Sequence, residues 1–446
     1  MSDGRELMSS VDAAWLHMDR PTNPMIIVGV MVFDDRLELE RVRRTIATRF
    51  LCFKRFRALP DQDLGLPIWR AGPEPDLTAH VVPVQLPAPA GRRQLEDLAS
   101  RLASEPLDPG RPLWQFHVVE RFGTGSALVI RVHHCYADGM ALVHVVLSMT
   151  AADSRSSLKR RPREVESHPA ARGWLGRGMD FVRQAGHVND LARHALGIAV
   201  EAARVIGLPD EPVTSLRGAI GRRKRAAWAE PLPLEEVRSV ARALGISIND
   251  VLMATVAGAL GAHLREAGTA TDGLTLRAAV PVNLRSPDAA AELGNDFGLV
   301  FLDLPVGIKD PLERAYAVHD AMTGLKGSYQ PVMTLGLLAA LGVMPGGVEN
   351  AAIDLLGAKV SAVVSNVPGP AEPRYLAGRR IVQQMFWVPQ SGGVGVGISV
   401  LSYAGQVQFG MIADARRVPN PRQVVRRFGH EFEQLLLAVL MAAAES

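Results

Sequence analysis

The segment Arg131-Val132-His133-His134-Cys135-Tyr136-Ala137-Asp138-Gly139 places two adjacent histidines ahead of an Asp-Gly pair, in the pattern H-H-x-x-x-D-G. An imidazole titrates near pH 6.5 when unperturbed, which suits it to take a proton from a hydroxyl or an amine at working pH. The pattern follows an apolar run over 127–132 and precedes a helical pattern over 140–149. A strand end is rigid enough to hold an imidazole within the tolerance that proton transfer needs. Neighbouring strand residues point to opposite faces. One of His133 and His134 is therefore expected in a reaction site and the other in the supporting structure. Asp138 is expected to shape that site, by capping the next helix or holding an arginine, rather than to accept the proton. Gly139 allows backbone geometry that other residues resist.

Two other chemistries fit the same residues less well. A metal site would need both histidines on one side, and no third ligand cluster with zinc-like spacing accompanies them. Cys135 as a nucleophile would need a base oriented on it, and the sequence identifies none.

The elements that must position these residues read as mixed α and β. A short helix after Ser10 carries Trp15 and stops near Pro21. A buried strand is expected over 25–33, an amphipathic helix over 37–53, and strands over 113–119 and 127–132 joined by a short Gly-containing loop as an antiparallel hairpin. The composition turns to Ser, Arg, Lys and Pro over 151–173, as in a surface connection. A long helical pattern follows over 179–206, expected to pack on the protein body or, alternatively, to lie at a lipid interface. Beyond Trp228, helices are expected over 233–244, 248–267 and 421–444. Strands are expected over 276–282, 299–304, 362–364, 394–402 and 407–412. The resulting division is an N-terminal lobe over 1–175, a helical linker over 176–225 and a C-terminal lobe over 226–446.

The 446 residues are 48% hydrophobic and 21% charged, with a net charge of +3, which favours a folded globular chain and gives little electrostatic support to nucleic-acid binding. Basic residues cluster at Lys159, Arg160, Arg161 and Arg163 and again at Arg222, Arg223, Lys224 and Arg225. Each cluster reads as solvated surface or as a contact for phosphate or anionic lipid. Two cysteines suggest a reducing cytoplasm and no disulfide framework. The first residues lack the pattern of a signal peptide. The most apolar stretch, 332–344, is shorter than the roughly 20 residues a spanning helix needs, so any membrane attachment is expected to be peripheral.

The histidine segment resembles the active-site signature of the coenzyme A-dependent acyltransferase superfamily, and its doubled histidine resembles that of bacterial wax ester synthase/diacylglycerol acyltransferases in particular. Further likenesses run in order along nearly the whole chain. They are Asp12-Ala13-Ala14-Trp15-Leu16 with Asn23-Pro24-Met25, Arg111-Pro112-Leu113-Trp114, Asn249-Asp250-Val251, Pro281-Val282-Asn283-Leu284-Arg285, Gly294-Asn295 and Ser365-Asn366-Val367-Pro368-Gly369-Pro370. Asn283 departs from the family pattern, where serine is expected.

The resemblance implies an α/β fold of the α+β type, with two chloramphenicol acetyltransferase-like lobes, mixed sheets and a tunnel between them. It implies transfer of a long-chain acyl group from acyl-CoA, a co-substrate with no permanently bound cofactor, to diacylglycerol or a fatty alcohol. His134 is then the general base and His133 its structural neighbour. Asn249 is a candidate oxyanion donor, with a helix N-cap as its other reading. Arg285 is a candidate partner for Asp138. Trp114, Asp250, Ser365 and Asn366 are candidates for substrate contact, with core packing and a strand-end turn as the competing roles. Two other functions fit the same fold: acyl transfer to a non-lipid hydroxyl or amine, as in condensation domains, and lipid binding without catalysis. The expected setting is cytoplasmic, at the inner membrane face or a lipid inclusion.

Overall fold

The apolar run at the N-terminus forms strand β2 (Ile26–Phe33), and it is apolar at nearly every position because both of its faces are covered. Ile26, Val28, Val30 and Val32 pack toward the Arg92–Ser104 helix, whereas Ile27, Met31 and Phe33 join the main core of the first lobe. The computed structural model describes residues 5–63, 66–156, 197, 200–284, 294–342 and 346–445.

The first lobe holds a six-stranded sheet in the order β13 (Tyr375–Leu376), β14 (Arg379–Trp387), β2, β7 (Gly125–His133), β6 (Trp114–Phe122) and β5 (Val81–Val84). β6 and β7 are the expected antiparallel hairpin. β5 runs parallel to β6, so the sheet is mixed. A small antiparallel sheet of β1 (Arg5–Leu7), β4 (Leu66–Ala71) and β3 (Ala58–Asp63) lies beside it. The outermost pair of the large sheet, β13 and β14, comes from the second half of the chain, with β14 antiparallel to β2. Neither strand is among those expected from the sequence pattern.

The second lobe carries the other large sheet. Its order is β11 (Phe297–Leu304), β10 (Leu276–Asn283), β12 (Ala362–Pro368), β15 (Val396–Tyr403), β16 (Gln406–Asp414) and β8 (Lys224–Trp228), with β9 (Leu232–Pro233) also paired to β16. β12 is parallel to β10 and β15, and the remaining pairs are antiparallel. The helices Leu234–Leu244, Ile248–Glu266, Pro311–Leu325 and Pro421–Glu445 cover one face and bury that lobe's own core.

The helix Gln330–Leu341 crosses between the lobes and ends against the first helix, Ser10–His17. A side chain at Gly342 would overlap the Ser10 carbonyl, so glycine is required for this approach. The cap of the first helix is Ser9, whose hydroxyl accepts from the Asp12 amide, rather than Ser10. Among the described residues no single helix is long and apolar enough to cross a membrane.

Candidate active site

β7 ends at His133, which lies opposite Ile26 of β2. The chain then turns, with the His134 amide donating to the Met25 carbonyl at 2.7 Å and the Tyr136 amide donating to the His133 carbonyl at 3.1 Å. The two imidazoles consequently meet different surroundings. His133 is buried, its Nδ1 accepts from the Cys135 amide at 3.2 Å, and its Nε2 lies 3.7 Å from Asp19. His134 instead faces a cavity of about 400 Å³ between the lobes.

Both lobes supply the cavity wall. Trp15, His134, Asp138 and Gly139 come from the first half of the chain, and Phe297, Leu338, Ser365 and Asn366 from the second. The indole of Trp15 stacks on the His134 ring with centroids 3.9 Å apart, and Phe297 leans on it at 5.9 Å. His134 is 3% exposed. Burial in this apolar setting lowers its pKa to about 4, with the positive form further opposed by His133 and favoured by Asp138 and Asn295. The imidazole is therefore neutral across the physiological range, with a lone pair available to a hydroxyl proton.

Asp138 ties the second half of the chain to the motif. Its Oδ1 accepts from the Ala141 amide at 2.9 Å and caps the helix Gly139–Met149. Its Oδ2 accepts from the Asp296 amide at 3.0 Å, and its own amide donates to the Gly294 carbonyl at 3.1 Å. Both carboxylate oxygens are thus used in holding geometry. Gly139 has no positive φ, and a Cβ there would meet nothing within 4 Å, so the special backbone expected of it is not what the position requires.

Asn295 and Asp12 hold His134 from behind. Asn295 Nδ2 donates to the His134 carbonyl at 2.9 Å and to Asp12 Oδ1 at 2.9 Å. Asp12 Oδ2 accepts from Arg55 at 2.7 Å, and both charged groups are buried. Trp15, Asn295 and Asp12 fall in segments singled out by family likeness, but no role for them was legible. Their positions are far from the histidines in sequence, and only the fold brings them together.

The remaining candidates divide. Ser365 and Asn366, at the end of β12, line the cavity. Asn249 does not line it, but its Oδ1 accepts from Asn366 Nδ2 at 2.8 Å, so it orients a residue that does. Ser247, not Asn249, is the N-cap of that helix. Asp250 and Trp114 lie away from the cavity. Asp250 is 1% exposed, completes the capping box by accepting from the Ser247 amide, and accepts from His319 at 2.8 Å. Trp114 is wholly buried in the first lobe, where its Nε1 donates to the Phe56 carbonyl at 2.8 Å and Phe50 and Phe116 surround its ring. Neither therefore contacts a substrate held in the cavity. Arg285 lies outside the described residues. Cys135 is fully buried, and burial raises its thiol pKa well above the usual range, which leaves it unsuited as a nucleophile.

The wax ester synthase/diacylglycerol acyltransferase catalytic domain matches residues 8–252, and the C-terminal domain of the same family matches residues 293–436. The chain belongs to this family. A Mycobacterium tuberculosis protein that bears the name of a diacylglycerol O-acyltransferase is 34% identical over 97% of both chains. A second family protein from that organism, similarly named, is 31% identical over 82% of this chain and 80% of its own length. The fold is similar to that of the wax ester synthase/diacylglycerol acyltransferase from Marinobacter aquaeolei VT8, with a TM-score of 0.73, 22% identity and coverage of 97% and 99% of the two chains. It also resembles the first condensation domain of the calcium-dependent antibiotic synthetase, with a TM-score of 0.64, 16% identity and coverage of 98% and 97%. The two-lobed architecture is thus common to the family and to condensation domains.

The basic cluster at 159–163 and most of the helical run at 179–206 lie outside the described residues, while 200–206 is helical. Arg222, Arg223 and Arg225 are exposed. Lys224 is not part of an exposed patch: it is 4% exposed, and its ammonium donates to Asn23 Oδ1. Burial lowers its pKa to about 8.

Proposed function

We propose that this protein transfers a long-chain acyl group from acyl-CoA to diacylglycerol or a fatty alcohol, with His134 as general base. The observation that carries the reading is the placement of a neutral His134, alone of the pair, on a cavity walled by both lobes. His134 removes the hydroxyl proton as the acceptor oxygen attacks the thioester carbonyl carbon. A C–O bond forms, the C–S bond breaks, and the proton passes from the imidazolium to the departing coenzyme A sulfur. Both substrates meet in one site, so no acyl-enzyme is needed. Acyl-CoA is a co-substrate, and no resident cofactor takes part.

The oxyanion needs a donor. Asn366, oriented by Asn249, and Ser365 are the side chains at the cavity from which that donor is drawn. The resemblance makes Arg285, which lies outside the described residues, the candidate partner of Asp138. The acceptors dissolve in lipid, so the protein collects them by peripheral contact with a membrane or a lipid inclusion on the cytoplasmic side. The exposed Arg222, Arg223 and Arg225 supply attraction to anionic headgroups.

The test is release of coenzyme A thiol from palmitoyl-CoA with hexadecanol or diacylglycerol, with the ester product separated and identified. Acceptor-dependent thiol release with matching ester is expected. Thiol release at the same rate without either acceptor would overturn the reading.

A further inference from the structure

The indole of Trp15 lies face to face with the general base. Its ring centroid is 3.9 Å from that of His134, and the two planes are 22° apart. Phe297 packs against both rings, at 5.8 Å from Trp15 and 5.9 Å from His134. The helix Ser10–His17 that carries the indole is fixed on two sides. Asp12, one turn before Trp15, is held by Arg55 and Asn295, and the close approach of Gly342 clamps Ser10. The stack is thus built into the fold before a substrate arrives.

Packing alone does not explain a tryptophan here. Trp15 is 7% exposed, and its Nε1 is buried and, among the described residues, has no hydrogen-bond partner. An unmet buried donor costs stability, and phenylalanine would fill an aromatic position without that cost. What tryptophan adds is the aromatic face that best attracts a cation within about 6 Å of its centre, most strongly where water is excluded. The cation in question is His134 itself. Burial disfavours its charged form, yet the reaction passes through that form. The acceptor proton enters the ring as the C–O bond forms, and it leaves for the coenzyme A sulfur as the C–S bond breaks. His133 opposes the charge and Asp138 favours it. Both Asp138 oxygens, however, already accept from the amides of Ala141 and Asp296. The indole is the surface stacked on the ring where the charge develops.

We propose that Trp15 is a positioning residue of the reaction, whose indole face fixes the plane of the His134 ring and stabilises the positive charge that the ring gains as it takes the acceptor proton. The inference rests on the acyl-transfer reading with His134 as base. An interaction that strengthens only as the charge develops raises kcat and leaves ground-state binding alone. Trp15 therefore acts on kcat, although it also lines the cavity.

The experiment replaces Trp15, alone of the six tryptophans, with mono-, di- and tetrafluorotryptophan by site-specific incorporation. Ring fluorines draw electron density from the face and change its shape little. The assay is acceptor-dependent thiol release from palmitoyl-CoA with hexadecanol. With each added fluorine kcat should fall, by up to about thirty-fold in all, while KM for both substrates stays within about two-fold of wild type. In a His134→Ala background the residual rate should not respond to the fluorines, because the indole then has no imidazolium to face. Trp15→Phe and Trp15→Leu give a second route. Trp15→Phe keeps a weaker aromatic face and Trp15→Leu keeps apolar bulk without one, so kcat should fall from wild type to Trp15→Phe and again to Trp15→Leu. A kcat indifferent to fluorination, a fluorine effect that persists without His134, or equal kcat in Trp15→Phe and Trp15→Leu would each overturn the inference and leave the acyl-transfer reading standing. Absence of acceptor-dependent release by the wild type overturns that reading, and the inference with it.

Discussion

Lowering the pH from 8 to 5 separates a buried base from an ordinary histidine. A group with a pKa of about 4, as burial gives His134, is still about 90% neutral at pH 5. A group at 6.5 would be only about 3% neutral there. If neutral His134 takes the acceptor proton, kcat/KM should fall by about 10% across this range rather than by about thirty-fold, because this parameter reports the free enzyme. The assay is the initial rate of thiol release at subsaturating acyl-CoA, read with a disulfide reagent that reacts in mild acid. Stability moves in the same direction and has to be followed alongside. A histidine whose folded pKa is lowered contributes stability that is fully present above the unfolded pKa near 6.5 and is lost as pH falls toward the folded value. His134 and His117 are both lowered to about 4, mainly by burial. Each then removes about 2 kcal/mol at pH 5, out of the roughly 5–15 kcal/mol typical of a folded protein. The fold should survive at pH 5, and circular dichroism at each pH checks that. An acid limb with its midpoint near 6.5, in protein that remains folded, would refute the assignment of His134 as a desolvated base.

His134→Ala should lower kcat by about 10²–10⁴-fold, the usual share of a general base, while His133→Ala should cost less in the chemical step; comparable losses in well-folded variants would contradict the different placement of the two rings. Asp12→Asn keeps an acceptor for Asn295 but leaves Arg55 buried without its counter-ion, so urea unfolding should show a loss of about 3–5 kcal/mol, and a loss under about 1 kcal/mol would remove the pair from the account. Asp138 and Arg285 should be non-additive in a double-mutant cycle on kcat/KM, and strict additivity would separate them. Reversing Arg222, Arg223 and Arg225 to glutamate, with buried Lys224 left in place, should weaken flotation on anionic liposomes at low salt, and undiminished flotation would rule that face out as the lipid contact.

Much of the scaffold was legible because its strands are buried on both faces. β2, β7, β10, β15 and β16 announce themselves as apolar runs, and the Gly-containing loop between β6 and β7 fixes a hairpin. β14 was not legible. Its sequence, Arg-Arg-Ile-Val-Gln-Gln-Met-Phe-Trp, pairs polar residues with apolar ones and matches neither a clean strand nor a helix period. The stretch 332–344 is too short to span a membrane. Over 332–341 its apolar character follows from its place in the helix Gln330–Leu341, where Leu337, Leu338 and Leu341 wall the cavity. In the site, the histidine motif was readable because strand, turn and cap follow one another in sequence. The Asp12–Asn295–His134 connection joins segments from both ends of the chain, and no local pattern encodes it. Asp250 and Trp114 show the converse, since residues inside family-like motifs can serve a helix cap or a core.

The strand exchange at β14 bears on how the chain can be made. Strand β2 emerges from the ribosome early, yet its partner on one side, residues 381–387, is synthesised only after most of the chain. Until then one edge of the buried hydrophobic strand Ile26–Phe33 lacks its hydrogen-bonding neighbour. Such an edge is a template for pairing with another chain, and long-range closure of this kind is slow. The nascent first lobe is thus an incomplete sheet that must be shielded from its neighbours on a polysome. A truncated chain ending before β14 should collect in aggregates, whereas co-expression with a separate segment carrying β13, β14 and the second lobe could rescue it in trans.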